Sequence, residues 1–293
     1  MDTPAAKHTD RAPWAVVVVA SMTGLTMLAF AANSLLTRLA LQTTTIDPAS
    51  FATTRLATGA LMLTLIVAVR RERVRTLAAG WLSATLLFIY AAAFSFAYRS
   101  MGVGTGALVL FASAQLLMIT YGYARGEKTS LFGLALALAG LVVFLAPSSA
   151  APPLSSTVLM VTAGLAWGAY SLLGRAGDSP TVGTARSFIW AVPLSLVLLL
   201  VERAQIHVDV RGLVYASISG AVTSALGYVL WYWVRVRMTA ISAGTVQLSV
   251  PVLSALLGVL LLGEHVSLRA AVSAVAVLAG VALTTVFAKA RSS

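Results

Sequence analysis

The chain contains no cysteine, three histidines and only nine acidic residues among 293. Without cysteine there is no disulfide, no thiolate nucleophile and no cysteine metal site. His8, His207 and His265 lie apart, near the ends of apolar runs, so no metal site is expected. Charged residues make up 10% of the chain, where soluble domains average roughly 25%. A chain so poor in charge, 59% hydrophobic and with a mean hydropathy of +0.92, cannot cover a water-facing surface and must be solvated by lipid. There is no phosphate-binding Gly-Lys-Ser/Thr loop, no nucleophile elbow and no HExxH. Neither an enzyme nor a cofactor is therefore expected. No basic stripe is interleaved with aromatics in a soluble segment, which argues against nucleic acid as a partner.

What the chain does have is a series of apolar runs near 20 residues, about the length a helix needs to cross roughly 30 Å of hydrocarbon. Such runs do not alternate like membrane-barrel strands, and a helix satisfies its own backbone in lipid. Ten spans are predicted near 15–37, 50–69, 77–98, 101–123, 130–146, 155–174, 182–201, 212–234, 239–262 and 267–287. The first has a basic flank like a signal peptide, but its length and the nine runs after it read as an uncleaved span. The expected organisation is a tail (1–14), a five-helix unit (15–146), a Pro/Ala/Ser linker (147–154), a second five-helix unit (155–287) and a tail (288–293). With the N-terminus in the cytoplasm, 14 of the 20 basic residues face inward, among them "RRERVR" at 70–75, "RGEK" at 125–128 and Arg235, while Arg38, Arg55, Arg99, Arg203, Arg211 and Arg269 face outward. That bias predicts a multi-pass protein of the cytoplasmic (inner) membrane with both termini inside. The net charge of +11 is then mostly loop charge beside anionic lipid.

The halves share landmarks. Ser34-Leu35-Leu36-Thr37-Arg38 matches Ser171-Leu172-Leu173-Gly174-Arg175 at a shift of 137 residues. Gly126-Glu127 matches Gly263-Glu264 at the same shift, "LAGL" at 138–141 matches "LAGV" at 278–281, and "DPASFATTR" at 47–55 resembles "DSPTVGTAR" at 178–186. Five helices is an odd number, so the second unit enters the membrane from the opposite side. The expected fold is all-α integral membrane, ten transmembrane helices in two inverted five-helix repeats, as in many secondary transporters.

Substrate would bind where the halves meet. Tyr90, Phe94 and Tyr98 share one face of the third span, and Tyr228, Trp231 and Arg235 one face of the eighth. Trp167 and Tyr170 in the sixth span match Phe30 and Asn33 in the first. Phe111, Gln115, Gln247 and Pro251 occupy the fourth and ninth. The cavity candidates are Asn33, Tyr90, Phe94, Phe111, Gln115, Trp167, Tyr170, Tyr228, Trp231 and Gln247; Arg38, Arg175 and Pro251 are gating candidates. For the arginines two readings stand: an interfacial snorkel to headgroups or to a carboxylate such as Asp47 or Asp178, or a gate or anionic-group contact. Mid-span aromatics equally suit packing, and Tyr98, Trp14 and Trp81 suit an interfacial belt. Gln115 and Gln247 need partners in hydrocarbon, so each bridges helices or faces a wet cavity. All nine acids lie at span ends or in loops, which disfavours proton coupling through a buried carboxylate.

"NSLLTR", "RGEKTSLFG", "AWGAYSLLGR", "QLSVPVLSALLGVLLLGEHVS" and the "LAG" of the fifth and tenth spans, in that order over 15–287, resemble the drug/metabolite transporter superfamily, specifically its EamA-type exporters. Pro251 fits the family's pattern in the ninth span; Ala114, its match in the fourth, departs from it. The resemblance implies export of amino acids or related metabolites, with a branch for aromatic amino acids near this chain. The expected function is a secondary transporter exporting or facilitating neutral or aromatic amino acids and related small metabolites across the cytoplasmic membrane by alternating access, its partners a small-molecule substrate and the lipid bilayer. Two alternatives stand: an exchanger of organic anions or phosphorylated metabolites, which requires Arg38, Arg55, Arg99 or Arg186 to face inward, and a non-transporting scaffold or scramblase. Nothing in the sequence decides oligomeric state.

Overall fold

A computed structural model describes residues 13–72, 80–127, 130–145, 152–173, 179–265 and 267–290. Among the described residues all regular structure is helical. The helices are α1 (Pro13–Thr43), α2 (Pro48–Val69), α3 (Trp81–Tyr98), α4 (Val103–Ala124), α5 (Leu131–Leu145), α6 (Leu154–Leu173), α7 (Pro180–Val201), α8 (Val210–Ile218), α9 (Gly227–Arg235), α10 (Ala240–Val246), α11 (Ser249–Leu262) and α12 (Leu268–Ala290). A π-helical stretch, Ser219–Leu226, joins α8 to α9. Eight stretches are long and apolar enough to cross a membrane; Val210–Arg235 and Ala240–Leu262 each count as one, and α5 and α12 contribute shorter apolar stretches.

The sequence explains the helix starts. Asp47 is the N-cap of α2, accepting from Ala49 and Ser50 N–H at 2.9 Å, and Pro48 supplies the preset φ of the first turn. Asp209 caps α8 through Gly212 N–H, and Ser179 and Pro180 repeat the pattern at α7. The two acids also tie their loops together. Asp47 accepts from His207 N–H, and Asp209 from Thr45 N–H.

Helix contacts follow small residues. α5 lies along α12, where a Cβ at Gly280 would sit 2.5 Å from Ala137 N and one at Gly140 would sit 3.0 Å from Ser273 O. The two LAG glycines thus let each backbone approach the other, and they pack within the chain. α2 lies along α7 and the π segment, α3 against α6 and α7, α4 against α6, α10 and α11, and α1 against α8, α9 and α11. Large apolar side chains such as Leu61, Leu65, Leu200 and Leu260 point outward, as lipid-facing surface requires.

The apolar stretch Ala240–Leu262 is broken between α10 and α11. Pro251 has no N–H to give the carbonyl of Gln247, which instead accepts from Val250 N–H at 3.1 Å. Its match, Ala114, keeps α4 continuous.

Candidate functional site

Most hydroxyls in the spans spend their hydrogen on their own helix. Thr26, Ser95 and Ser113 donate to the carbonyl four residues back. The polar groups left to find partners across helices gather where α1, α2, α3, α6, the π-helical stretch and α9 meet. There a small cavity of about 10 Å³, the size of one water, is lined by Phe30, Asn33, Ser34, Tyr90, Phe94, Phe111, Trp167 and Tyr228. Six of the ten cavity candidates from sequence are among these walls.

The walls are mostly rings. Phe30 meets Trp167 edge-on at 5.3 Å between centroids, Tyr228 at 5.9 Å and Trp231 at 5.8 Å. Trp167 packs on Tyr90 at 5.2 Å, Tyr228 at 4.8 Å and Tyr170 at 5.8 Å. Each such pair adds about 0.5–1.5 kcal/mol beyond area burial. Tyr170 and Trp231 thus back the lining rings. Gln247 stands behind Trp167, its Oε1 accepting the indole N–H at 2.7 Å and its amide donating to Ala243 O at 3.2 Å. It orients a wall rather than forming one.

Asn33 joins the wall to the π segment. Its Oδ1 accepts from Ser219 at 2.7 Å and Thr223 at 3.3 Å, and its Nδ2 donates to Tyr90 Oη at 3.3 Å. π-helical turns are rare and often mark functional sites. Here the wider turn presents Ser219, Thr223 and Ser224 to α1 and α2.

The residue that sequence placed wrongly is Arg55. Counted with the outer-face arginines, it lies seven residues past the start of α2, roughly 10 Å into the span. It is 1% exposed. Its Nε donates to Ser224 Oγ at 2.9 Å, and its Nη2 to Tyr90 Oη and Tyr228 Oη, both at 3.0 Å. Its guanidinium carbon lies 5.0 Å from the Tyr90 ring centre and 5.1 Å from that of Phe94. Nη1 has no partner, and among the described residues no carboxylate pairs with it. A usable signal was present: Asp47 fixes where α2 begins, and Arg55 is then too deep to snorkel.

Gln115 is a second correction. It lines a separate recess of about 20 Å³ among α4, α5, α12 and Leu248, away from the ring-walled cavity, and neither amide atom has a partner. Its neighbour across the helix contact is Gly244, where a Cβ would collide with Gln115 Oε1. Tyr98 is not an interfacial anchor: it is fully buried and donates to Val103 O at 3.2 Å. Arg235, counted with the inner loops, is buried too and donates to Met238 O. Trp81 is half exposed and stacks on Trp190, as an anchor would.

Of the gating candidates, Arg38 and Pro251 lie near one end of α4. At one end Arg38 donates to Tyr98 O at 2.8 Å and Arg99 O at 3.2 Å, and its Nε lies 3.7 Å from Glu264 Oε1. Its carboxylate is thus Glu264, and Asp47 is occupied as a helix cap. Glu264 also accepts from Val103 N–H, the first residue of α4, at 2.9 Å. At the other end Glu127 accepts from Ala240 N–H at 3.2 Å and Ile241 N–H at 3.1 Å, at the start of α10. Val103 and Ala240 are 137 residues apart, as are the two glutamates. Each Gly-Glu therefore caps the matched helix of the other half, with charge placed favourably at a helix start. Pro251 lies beside a recess of about 80 Å³ that also touches Glu264. Arg175 and Asp178 lie outside the described residues.

Residues 154–286 match the EamA-like transporter family. An uncharacterized protein of Pseudomonas aeruginosa is 48% identical over 265 residues, covering 89% of this chain and 92% of its own. An uncharacterized transporter of Archaeoglobus fulgidus is 24% identical over 280 residues, covering 89% and 95%. A solved crystal structure at 16% identity superposes with a TM-score of 0.71 over 93% of this chain and 99% of that one, a likeness of fold. With eight stretches apolar enough to span a bilayer and these relatives, the chain is a multi-pass membrane protein that belongs to the EamA-like transporter family.

Proposed function

We propose that the protein is a secondary transporter exporting amino acids with neutral or aromatic side chains, and related small carboxylates, across the cytoplasmic membrane. The single observation that carries this reading is the ring-walled cavity. Its lining comes from both halves of the chain, Phe30 to Phe111 from one and Trp167 and Tyr228 from the other. A site shared by two halves opens to either side as they rock, which is alternating access.

Ten spans in two inverted five-helix units, 15–146 and 155–287, remain our reading of the architecture. The helix contacts support it, because the pairing survives exchange of the halves. α2 with α7 and α5 with α12 map onto themselves, and α3 with α6 maps onto α8–α9 with α1. The reciprocal caps Glu264–Val103 and Glu127–Ala240 support it too. We place both termini in the cytoplasm, from the arginine and lysine bias. Arg38 and Glu264 then close the outer end and Glu127 the inner one, with Pro251 beside the outer recess and Arg175 the repeat mate of Arg38.

A second reading, exchange of organic anions, is favoured by Arg55, whose buried charge stands behind the cavity-lining Tyr90 and Tyr228. Counterflow of labelled phenylalanine, leucine and small organic acids, in liposomes holding only this protein, tests both. Uptake above empty liposomes and indifferent to a pH gradient is the expected result. Gradient-driven uptake would remove the facilitator reading, and no uptake of any compound would remove transport of these classes.

A further inference from the structure

Arg55 sits in a cluster with too many hydrogens. A guanidinium carries five N–H donors and accepts nothing. Three of the five are matched, to Ser224, Tyr90 and Tyr228, and the two on Nη1 are not. The tyrosine oxygens are already acceptors, so their own hydrogens remain to be given away. If one hydroxyl donates to the other, one hydrogen is still left over. Asn33 Nδ2 adds another donor at Tyr90. What the cluster lacks is an acceptor and a negative charge. A buried charge without a counter-ion carries a desolvation cost of several kcal/mol, which three charge-assisted bonds of about 1.5–3 kcal/mol each offset while the Nη1 hydrogens stay unmatched.

Arg55 is not itself a wall of the cavity. Tyr90, Phe94 and Tyr228 are, and all three touch Arg55 on their other side. We infer that Arg55, acting through the Tyr90 and Tyr228 hydroxyls, makes the ring-walled cavity a seat for one carboxylate group, so that the substrate is an aromatic or branched monocarboxylate. The inference rests on the cavity being the transport site. One buried positive charge matches one negative charge. A phosphomonoester, carrying about −1.5 to −2 at neutral pH, would leave excess charge buried. The lining residues include no carboxylate, so a substrate's ammonium group meets only rings, the hydroxyls of Ser34, Tyr90 and Tyr228, and the Asn33 amide. The carboxylate is therefore obligatory and the ammonium group dispensable. The cavity as it stands holds one water, so the apolar body of the ligand takes its place among Phe30, Phe111 and Trp167 only as the two halves part.

Because Arg55 is a positioning residue here, the test must separate charge from packing. The probes are four compounds sharing one ring: 3-phenylpropionate, its neutral amide, phenethylamine and phenylalanine. Binding to the purified full chain in detergent is read from the ligand-dependent rise in melting temperature. The expected result is that 3-phenylpropionate binds at least about tenfold tighter than the amide, the difference between a charge-assisted and a neutral hydrogen bond. Phenylalanine should bind like the acid, and phenethylamine should not bind. Arg55→Lys should keep the preference with weaker binding, and Arg55→Gln should abolish the difference between acid and amide. A structural role would instead weaken all four probes together.

Equal binding of acid and amide to the unaltered protein, preference for the amine, absence of binding by any probe, or an acid preference surviving in Arg55→Gln would each overturn the inference. If Arg55→Gln does not fold, Arg55→Lys and the acid-to-amide ratio of the unaltered protein decide it alone. Counterflow succeeding without an acid preference would sink the seat and leave transport standing. An acid preference without flux would do the reverse.

Discussion

Asp209 shows what a single side chain does at the membrane surface. It is only partly buried, yet its carboxyl lies below the ordinary value of 3.8, first because Gly212 N–H donates to it, with further bonds from Thr44 and Thr45. A depressed folded-state value means that stability from these bonds is complete above the unfolded value and lost as pH falls through the folded one. Asp209→Ala should therefore lower the melting temperature at pH 7, and the gap from the unaltered protein should narrow below about pH 4. A gap that persists undiminished at pH 3 would show that the carboxylate is not its source. Trp167 illustrates a different dependence. Its ring faces the cavity, but its orientation rests on Gln247, 80 residues away in a broken span.

Between elements, the closest approach near the site is α2 against the π segment. A Cβ on Gly220 would collide with Thr58 Oγ1 and with the backbone oxygen of Arg55. The second of these cannot rotate away. Gly220→Ala should cost about 1–3 kcal/mol by overpacking and push Ser224 off Arg55. Gly183, in α7, has nothing within 4 Å of a new Cβ. Gly183→Ala should be neutral, or stabilising by up to about 1 kcal/mol through helix propensity. Melting temperatures of the two variants against the unaltered protein measure the contrast. Equal behaviour would mean that the helices can separate here at no cost.

For the whole molecule the two glutamate caps lie at opposite ends of α4, one with Arg38 and one without a described arginine. If the halves rock, loosening one end should expose the cavity to that side alone. The chain has no cysteine, so Ser34→Cys, in the cavity wall, offers a single reactive site. Adding Glu264→Gln should speed its labelling by an impermeant maleimide from the Glu264 side of the membrane. Adding Glu127→Gln should slow labelling from that side, because closure there is favoured. Equal rates in both backgrounds would remove the caps from the gating mechanism.

Much of this was legible in the sequence because lipid imposes simple demands. Apolar runs near 20 residues dictate helices, Asp47-Pro48 and Ser179-Pro180 dictate where two of them start, and Pro251 opposite Ala114 dictates that one span breaks while its match does not. Ring positions at helical spacing foretold Tyr90 with Phe94. What periodicity cannot supply is the rotation of each helix about its axis, and that alone separates a lining residue from a buried one. Rotation turned Gln115 toward α5 and α12 instead of the cavity. It took Tyr98 out of the interface and into the interior, and brought Arg55, read as an outer-face charge, against two tyrosine hydroxyls. Composition and spacing determined that this chain lives in a membrane as packed helices with matched landmarks. Only tertiary packing decided which polar groups were left facing one another without an acceptor, because unmatched hydrogen bonds arise between helices far apart in the chain.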